Sequence, residues 1–385
     1  MLQIIIGLFV FCVILFFYLH VHFHLKTSND LEIYEIEQAS KDKMEEICDL
    51  RQPVLFDCDE DTEKITRTTS QSYLLDNYPI FEVKIRESSL NKNEVDNENL
   101  FLPLPLHIAT KLFREDKNAA YYSEGNSDFL AETGAQKNMS YNDEFLRPFL
   151  VSNCNYDILM GSSGVVTPLR YEINYRNYFL VTQGSLKVKL VPPKSARYLY
   201  PVKDYENLEF RSQINPWNPQ PKFRADFDKV KCLEIVLTPG KFLFIPSYWW
   251  YSFKFDENTS VSSFKYRTYM NNIAISPHIF MYALQNQNVE HKIAKQIDIK
   301  GLNQGQKNGE TTNISELAVL SEAKGEGEAK GEGEAKSGEV TSISELIVNK
   351  DGFIANETTN INELTNANII GENELINANQ FVSAI

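Results

Sequence analysis

Histidine is scarce in this chain. There are six in 385 residues, and three of them, His20, His22 and His24, end the first apolar run. A site that needs several imidazoles has little to draw on. Cysteine offers no framework either. Cys12, Cys48, Cys58, Cys154 and Cys232 form no CxxC pair, which argues against a zinc ribbon or a disulfide scaffold. They read as free thiols, with Cys12 acting as a small hydrophobe. Positive charge is also short: 38 Lys and Arg face 52 Asp and Glu, a net of −14. An electrostatic grip on nucleic-acid phosphates is therefore not expected. The deficit is uneven. Residues 301–385 carry 14 acidic side chains against 5 lysines, a net of −9, and the rest of the chain is close to an ordinary globular balance.

Apolar residues are not lacking. At 43% hydrophobic and 12% aromatic, the chain can build a substantial core. LQIIIGLFVFCVILFFYLHVHFHL, Leu2–Leu25, holds no Asp, Glu, Lys or Arg. A hydrocarbon core of about 30 Å needs roughly 20 helical residues, so this run is long enough to cross one. The rival reading is a cleaved signal peptide. Its apolar region would be shorter, and a small-x-small cleavage site would follow. The expectation is a single-pass membrane anchor over residues 2–25. Lys26 follows the run and no Lys or Arg precedes it, which favours a cytosolic C-terminal side. The NxS/T triplets at Asn138, Asn258, Asn313 and Asn356 matter only if the domain faces a lumen.

Beyond the anchor, residues 26–43 are charged and mixed and read as a stalk. A globular pattern then begins. NYFLVTQGSLKVKLVPP (Asn177–Pro193) reads as two strands joined at Gln183-Gly184. CLEIVLTPGKFLFIP (Cys232–Pro246) repeats that form around Pro239-Gly240, and WWYSFKF and TSVSSFKYR continue the two-residue alternation. Short β-branched and aromatic strands with Pro and Gly turns argue for a mainly β, antiparallel barrel or sandwich. Residues 44–265 are assigned to it. Residues 266–300 read as a helical extension, in which 270–297 is a candidate homodimer contact. From 301 to 385 the chain is low-complexity and acidic, with EAKGEGEAKGEGEAKSGE (Glu322–Glu339) and three related motifs, TNISEL, TSISEL and TNINEL. A disordered tail is expected there, with the repeats as candidate short binding motifs.

Three stretches carry the chemistry: TPLRYEINYRNYF (Thr167–Phe179), QGSLKVKLVPP (Gln183–Pro193) and TPGKFLFIPSYWWYSF (Thr238–Phe253). In this order and spacing they resemble the cupin-like JmjC domain of the 2-oxoglutarate/Fe(II) dioxygenases. Among these, the factor-inhibiting asparaginyl hydroxylase branch is the most similar. RSQINPWNPQPKF (Arg211–Phe223), RQPVLF (Arg51–Phe56) and YYSEGNSDFL (Tyr121–Leu130) also fit that branch. The resemblance spans roughly residues 44–300. It implies a double-stranded β-helix, or jelly roll, with flanking helices. It also implies a chemistry in which two histidines and a carboxylate hold Fe(II) on one face.

The positions that correspond to that site have changed. The first histidine position is Arg170, the carboxylate position is Glu172, and the distal histidine position is Tyr251. A guanidinium stays protonated and offers no lone pair. One carboxylate and one phenol make a poor Fe(II) site. His107, His278 and His291 all lie outside the three motifs. The basic residue that holds 2-oxoglutarate in the family corresponds to Leu186, with Lys187 on the opposite strand face. Thr167 and Asn177 match polar positions lining the family's pocket. Residues i and i+2 of a strand share a face. An Arg170–Glu172 pair capped by Tyr251 is thus one expectation for the old metal site; the rival is a solvated, edge-exposed strand. The chain is expected to be a membrane-anchored pseudo-dioxygenase that binds or scaffolds a peptide or protein partner, with no cofactor. The alternative is a 2-oxoglutarate-dependent protein hydroxylase with atypical ligands, which would keep Fe(II) and 2-oxoglutarate.

Overall fold

The computed structural model describes residues 2–37, 40–88 and 101–287. The low-complexity segment and its repeats, His291, Asn313 and Asn356 lie outside the described residues. The first helix, α1 (Leu2–Leu25), is long and apolar enough to cross a membrane, with a mean hydropathy of 2.8 over its most apolar window. Then come β1 (Tyr34–Ile36), α2 (Lys41–Cys48), β2 (Val54–Asp57), α3 (Glu60–Thr68) and α4 (Gln71–Asn77). Short polar residues start these helices. Ser40 and Ser70 accept the backbone N–H of Lys43 and Tyr73, and Asp59 accepts that of Thr62, which satisfies donors the helix leaves open. Next are β3 (Glu82–Glu87), β4 (Leu102–Pro105), α5 (Leu106–Glu115), β5 (Tyr121–Ser123), α6 (Ser127–Glu132) and α7 (Ala135–Tyr141).

The barrel strands follow: β6 (Val151–Gly161), β7 (Arg170–Tyr171), β8 (Arg176–Gln183) and β9 (Leu186–Val191). An excursion carries β10 (Pro201–Asp204), β11 (Glu209–Ser212) and α8 (Pro221–Phe227). The chain returns as β12 (Leu233–Leu237), β13 (Lys241–Phe244), β14 (Trp250–Phe255) and β15 (Ser260–Thr268), and closes with α9 (Tyr269–Ala274) and α10 (Ser276–Gln287). One sheet orders as β1-β2-β13-β8-β15-β6-β5-β3-β4 and the other as β10-β11-β7-β14-β9-β12. From β6 to β9, and again from β12 to β15, successive strands alternate between the two sheets. This winding is the double-stranded β-helix the motifs implied.

Between the sheets lie Phe179, Val188, Leu190, Leu243, Trp249 and Phe253, all 1% exposed or less. Trp250, beside Trp249 in sequence, packs the other way, with Leu169, Val191 and Ile214. The turn into β9 is pinned at Gly184. Its φ is +74°, and a Cβ there would come within 2.7 Å of the Thr259 backbone. Strand β8 is buried along nearly its whole length rather than on alternate residues. It lies inside its sheet between β13 and β15, and its outer face is covered too: Thr182 Oγ1 donates to the carbonyl of Thr69, just past α3.

The stalk expectation is corrected. Tyr34–Ile36 adds a parallel strand to the larger sheet against Val54–Phe56. The last turn of α1 is also part of the domain: His24 is buried, and Arg51 lies over the rings of both Phe23 and Tyr175. Folded structure thus begins before residue 44, and β15 extends it to Thr268, past the expected boundary at 265. Helix α10 buries none of its residues, and Phe280, Met281 and Leu284 are exposed on it.

Candidate functional site

Strand β7 is only two residues long, and it sets the site. Arg170 lies opposite Tyr251 on β14 and opposite Arg211 on β11. Its side chain enters a cavity of about 250 Å³ between the sheets, and Glu172 lines the same cavity. The two do share a face, but they do not pair. Arg170 Nη2 donates instead to Glu124 Oε2 at 2.6 Å, with both side chains under 10% exposed. The expected Arg170–Glu172 pair is corrected accordingly.

The loop after β5 explains why Glu124 is there. Gly125 turns with φ +76°, and the backbone N–H groups of Gly125 and Asn126 donate to the Asp157 carboxylate at 2.9 and 2.7 Å. The Asn126 amide bridges Ser123 Oγ and the Ile158 carbonyl. This knot ties the loop to β6 and leaves the Glu124 carboxylate facing Arg170. Arg86 of β3 adds a second guanidinium nitrogen 3.2 Å from Glu124. Burial raises the Glu124 carboxyl pKa, but Arg170 and Arg86 outweigh burial and hold it well below the usual range.

Glu172 is held by other groups. Its Oε1 accepts from Tyr251 Oη at 2.9 Å and from Lys265 Nζ at 2.8 Å. Its Oε2 accepts a longer bond, 3.3 Å, from Asn174. Burial again pushes its carboxyl up, while Lys265 and Arg170 outweigh it and lower the pKa. Burial drives the Tyr251 phenol well above its usual range, so it stays neutral and can donate. Tyr251 reaches Glu172 from the neighbouring strand rather than from across the barrel, and its ring lies in the core.

The remaining expected pocket residues do not line this cavity. Thr167 Oγ1 accepts the Phe253 N–H, and its carbonyl accepts from Ser252 Oγ, so its polarity serves strand pairing. Asn177 donates to the Ile245 carbonyl at 3.2 Å. Leu186 is fully buried between Phe255 and Leu237, and Lys187 beside it is exposed. Glu124, Lys265, Arg267 and Arg86 were not singled out in the sequence. For β15 a signal existed: in SSFKYR the charged residues alternate with aromatics. Glu124, 46 positions upstream of Arg170, lies in YYSEGNSDFL, a stretch read for its resemblance alone.

Measured against the Fe(II) centre of the dioxygenases, the donor set fails. One position is a guanidinium, one is a neutral phenol, and the carboxylate already accepts an ammonium, a phenol and an amide. Among the described residues, no group of three His, Cys, Asp or Glu side chains is placed to hold a metal. Neither His107 nor His278 lines the cavity. A guanidinium–carboxylate pair and an ammonium–carboxylate pair hold the expected ligand positions Arg170 and Glu172.

The sequence pattern of the cupin-like domain family matches residues 40–271. The chain belongs to this cupin-like family. Some relatives carry the JmjC or Jumonji C term in their names. The chain is 34% identical over 93 residues to HSPB1-associated protein 1 of Mus musculus, covering 24% of this chain and 19% of that protein. It is 28% identical over 102 residues to JmjC domain-containing protein D of Dictyostelium discoideum, covering 26% and 22%. It is 33% identical over 91 residues to Lysine-specific demethylase 8 of Danio rerio, covering 24% and 22%. The match thus spans about a fifth of the length of each of these relatives.

Proposed function

We propose that this chain is a membrane-tethered, catalytically silent member of the cupin-like family that serves as a binding or scaffold module. The observation that carries the reading is the fate of the three ligand positions. Arg170 is committed to Glu124, Glu172 is committed to Lys265, and Tyr251 is a neutral donor to Glu172. An Fe(II) ion beside Glu172 would have to displace an ammonium already within hydrogen-bond distance. It would gain one carboxylate and lie near two positive side chains. Helix α1 supports the tether by its length and composition. The name of the HSPB1-associated relatives accords with a protein partner for this chain too.

The test uses the full chain purified in detergent. Iron is measured after anaerobic loading with Fe(II), and succinate is followed after addition of 2-oxoglutarate. Iron well below one equivalent, with no succinate, is expected. One equivalent of iron with turnover would replace this reading by that of a 2-oxoglutarate-dependent oxygenase with atypical ligands.

A further inference from the structure

One wall of the cavity is a polar ladder. Ser263, Lys265 and Arg267 of β15 lie directly opposite Asp157, Asn155 and Asn153 of β6, and all six line the cavity. Phe264 and Tyr266, between them in sequence, are fully buried. Opposed residues in such a ladder have Cβ atoms about 5 Å apart, so each pair can act on one ligand group.

Two of these six side chains are already used. Asp157 accepts three backbone N–H groups, from Gly125, Asn126 and Ile158, at 2.7 to 2.9 Å. Lys265 is spent on Glu172. The other four keep unbonded polar groups. Arg267 Nε donates to Asn174 Oδ1 at 2.6 Å, and among the described residues its two terminal nitrogens have no hydrogen bond and no carboxylate within 4 Å. The Ser263 hydroxyl is 1% exposed, lines the cavity and has no hydrogen-bond partner. The side-chain amides of half-buried Asn153 and exposed Asn155 bond to no described residue. A guanidinium fork without a carboxylate, with half-buried Asn153 directly opposite it and the buried, unpaired Ser263 hydroxyl in the same cavity, has the chemistry of an anion subsite.

The geometry points to a metal-free binding site for a small monocarboxylate. Arg267 would take the carboxylate in its fork, while Asn153, Asn155 and Ser263 would bond the rest of the molecule. A single negative charge is favoured because the other cations lining the cavity, Arg86, Arg170 and Lys265, are already paired with Glu124 and Glu172, which leaves Arg267 to match one ligand charge. The volume of about 250 Å³ suits a ligand of about ten heavy atoms or fewer. The inference rests on the reading above, that the cavity binds rather than catalyses. It adds which end of the cavity binds and what it recognises.

The experiment is saturation-transfer NMR on the full chain in detergent, with L-lactate as the probe and uncharged lactamide as the comparator. Saturation of the lactate methyl in the millimolar range, with none for lactamide, is expected. Arg267→Met should weaken lactate by about tenfold or more, and Arg267→Lys should restore part of the loss. Should Arg267→Met fail to fold, judged by its melting curve, Asn153→Ala/Ser263→Ala replaces it and should weaken lactate severalfold. No lactate binding to wild type, equal binding of lactamide, or undiminished binding to the folded variants would overturn the site. Each sample is run with and without Fe(II). Lactate binding only with iron would overturn the metal-free assignment and the silent-barrel reading together. Iron loading that leaves metal-independent lactate binding intact would remove only the latter.

Discussion

Two buried arginines in this domain are stabilised in opposite ways. Arg170 lies between the sheets against the Glu124 carboxylate, its charge matched by charge. Arg51, 1% exposed, sits where α1 meets the domain, over the rings of Phe23 and Tyr175, and none of its three side-chain nitrogens has a hydrogen-bond partner. The first arrangement is stiff and directional. If Glu124 is removed, Arg170 is left charged in a poor solvent. The second is diffuse. Ring faces attract a guanidinium without satisfying its donors, and the side chain contributes mainly as packing between helix and barrel. Equal burial therefore does not mean equal dependence on charge.

Breaking the first pair should have the largest effect. Arg170→Ala leaves Glu124 with Arg86 alone and should cost about 3 kcal/mol in urea unfolding, whereas the double change Arg170→Met/Glu124→Met should cost less than the sum of the two singles. An unchanged midpoint for Arg170→Ala would mean that the pair is solvated. Lys265→Met should be milder, about 1–3 kcal/mol, because Glu172 keeps the Tyr251 hydroxyl and is nearer solvent. Tyr251→Phe removes a single neutral donor and should cost about 1 kcal/mol by thermal denaturation. At the other arginine, Arg51→Met should stay within about 1 kcal/mol of wild type, since it keeps the stem and removes unpaired donors. A loss there as large as for Arg170→Ala would abolish the distinction.

Acid titration sharpens the same contrast. The folded pKa values of Glu124 and Glu172 are both lowered, so their ion pairs contribute fully above the unfolded carboxylate value of about 4.3. That stability is lost as pH falls through the folded values. Glu172→Gln should flatten the fall below about pH 4.5, measured by melting temperature against pH. Arg51→Met should leave its shape unaltered.

The barrel was legible because its signals are local. Alternation in WYSFKF, the turns at Gly184 and Gly240, and the proline-ended runs each need only a few neighbouring residues. Arg170, Glu172 and Tyr251 were singled out from the same kind of short, local motif. The Arg170–Glu172 pair was misread because sharing a strand face fixes direction and says nothing of competitors. Glu124 reaches Arg170 from a loop tied to β6, and Lys265 reaches Glu172 from the last strand. The stalk was misread because three residues, Tyr34–Ile36, carry too little pattern to announce an edge strand.

The sequence by itself determined what the three ligand positions can and cannot donate, because protonation and lone pairs belong to residue type. It also determined that one run could span a bilayer, because length and polarity are additive along the chain. Only the tertiary structure decided which charge meets which. Ion pairing depends on distances of a few ångströms between segments tens of residues apart, and sheet closure sets those distances.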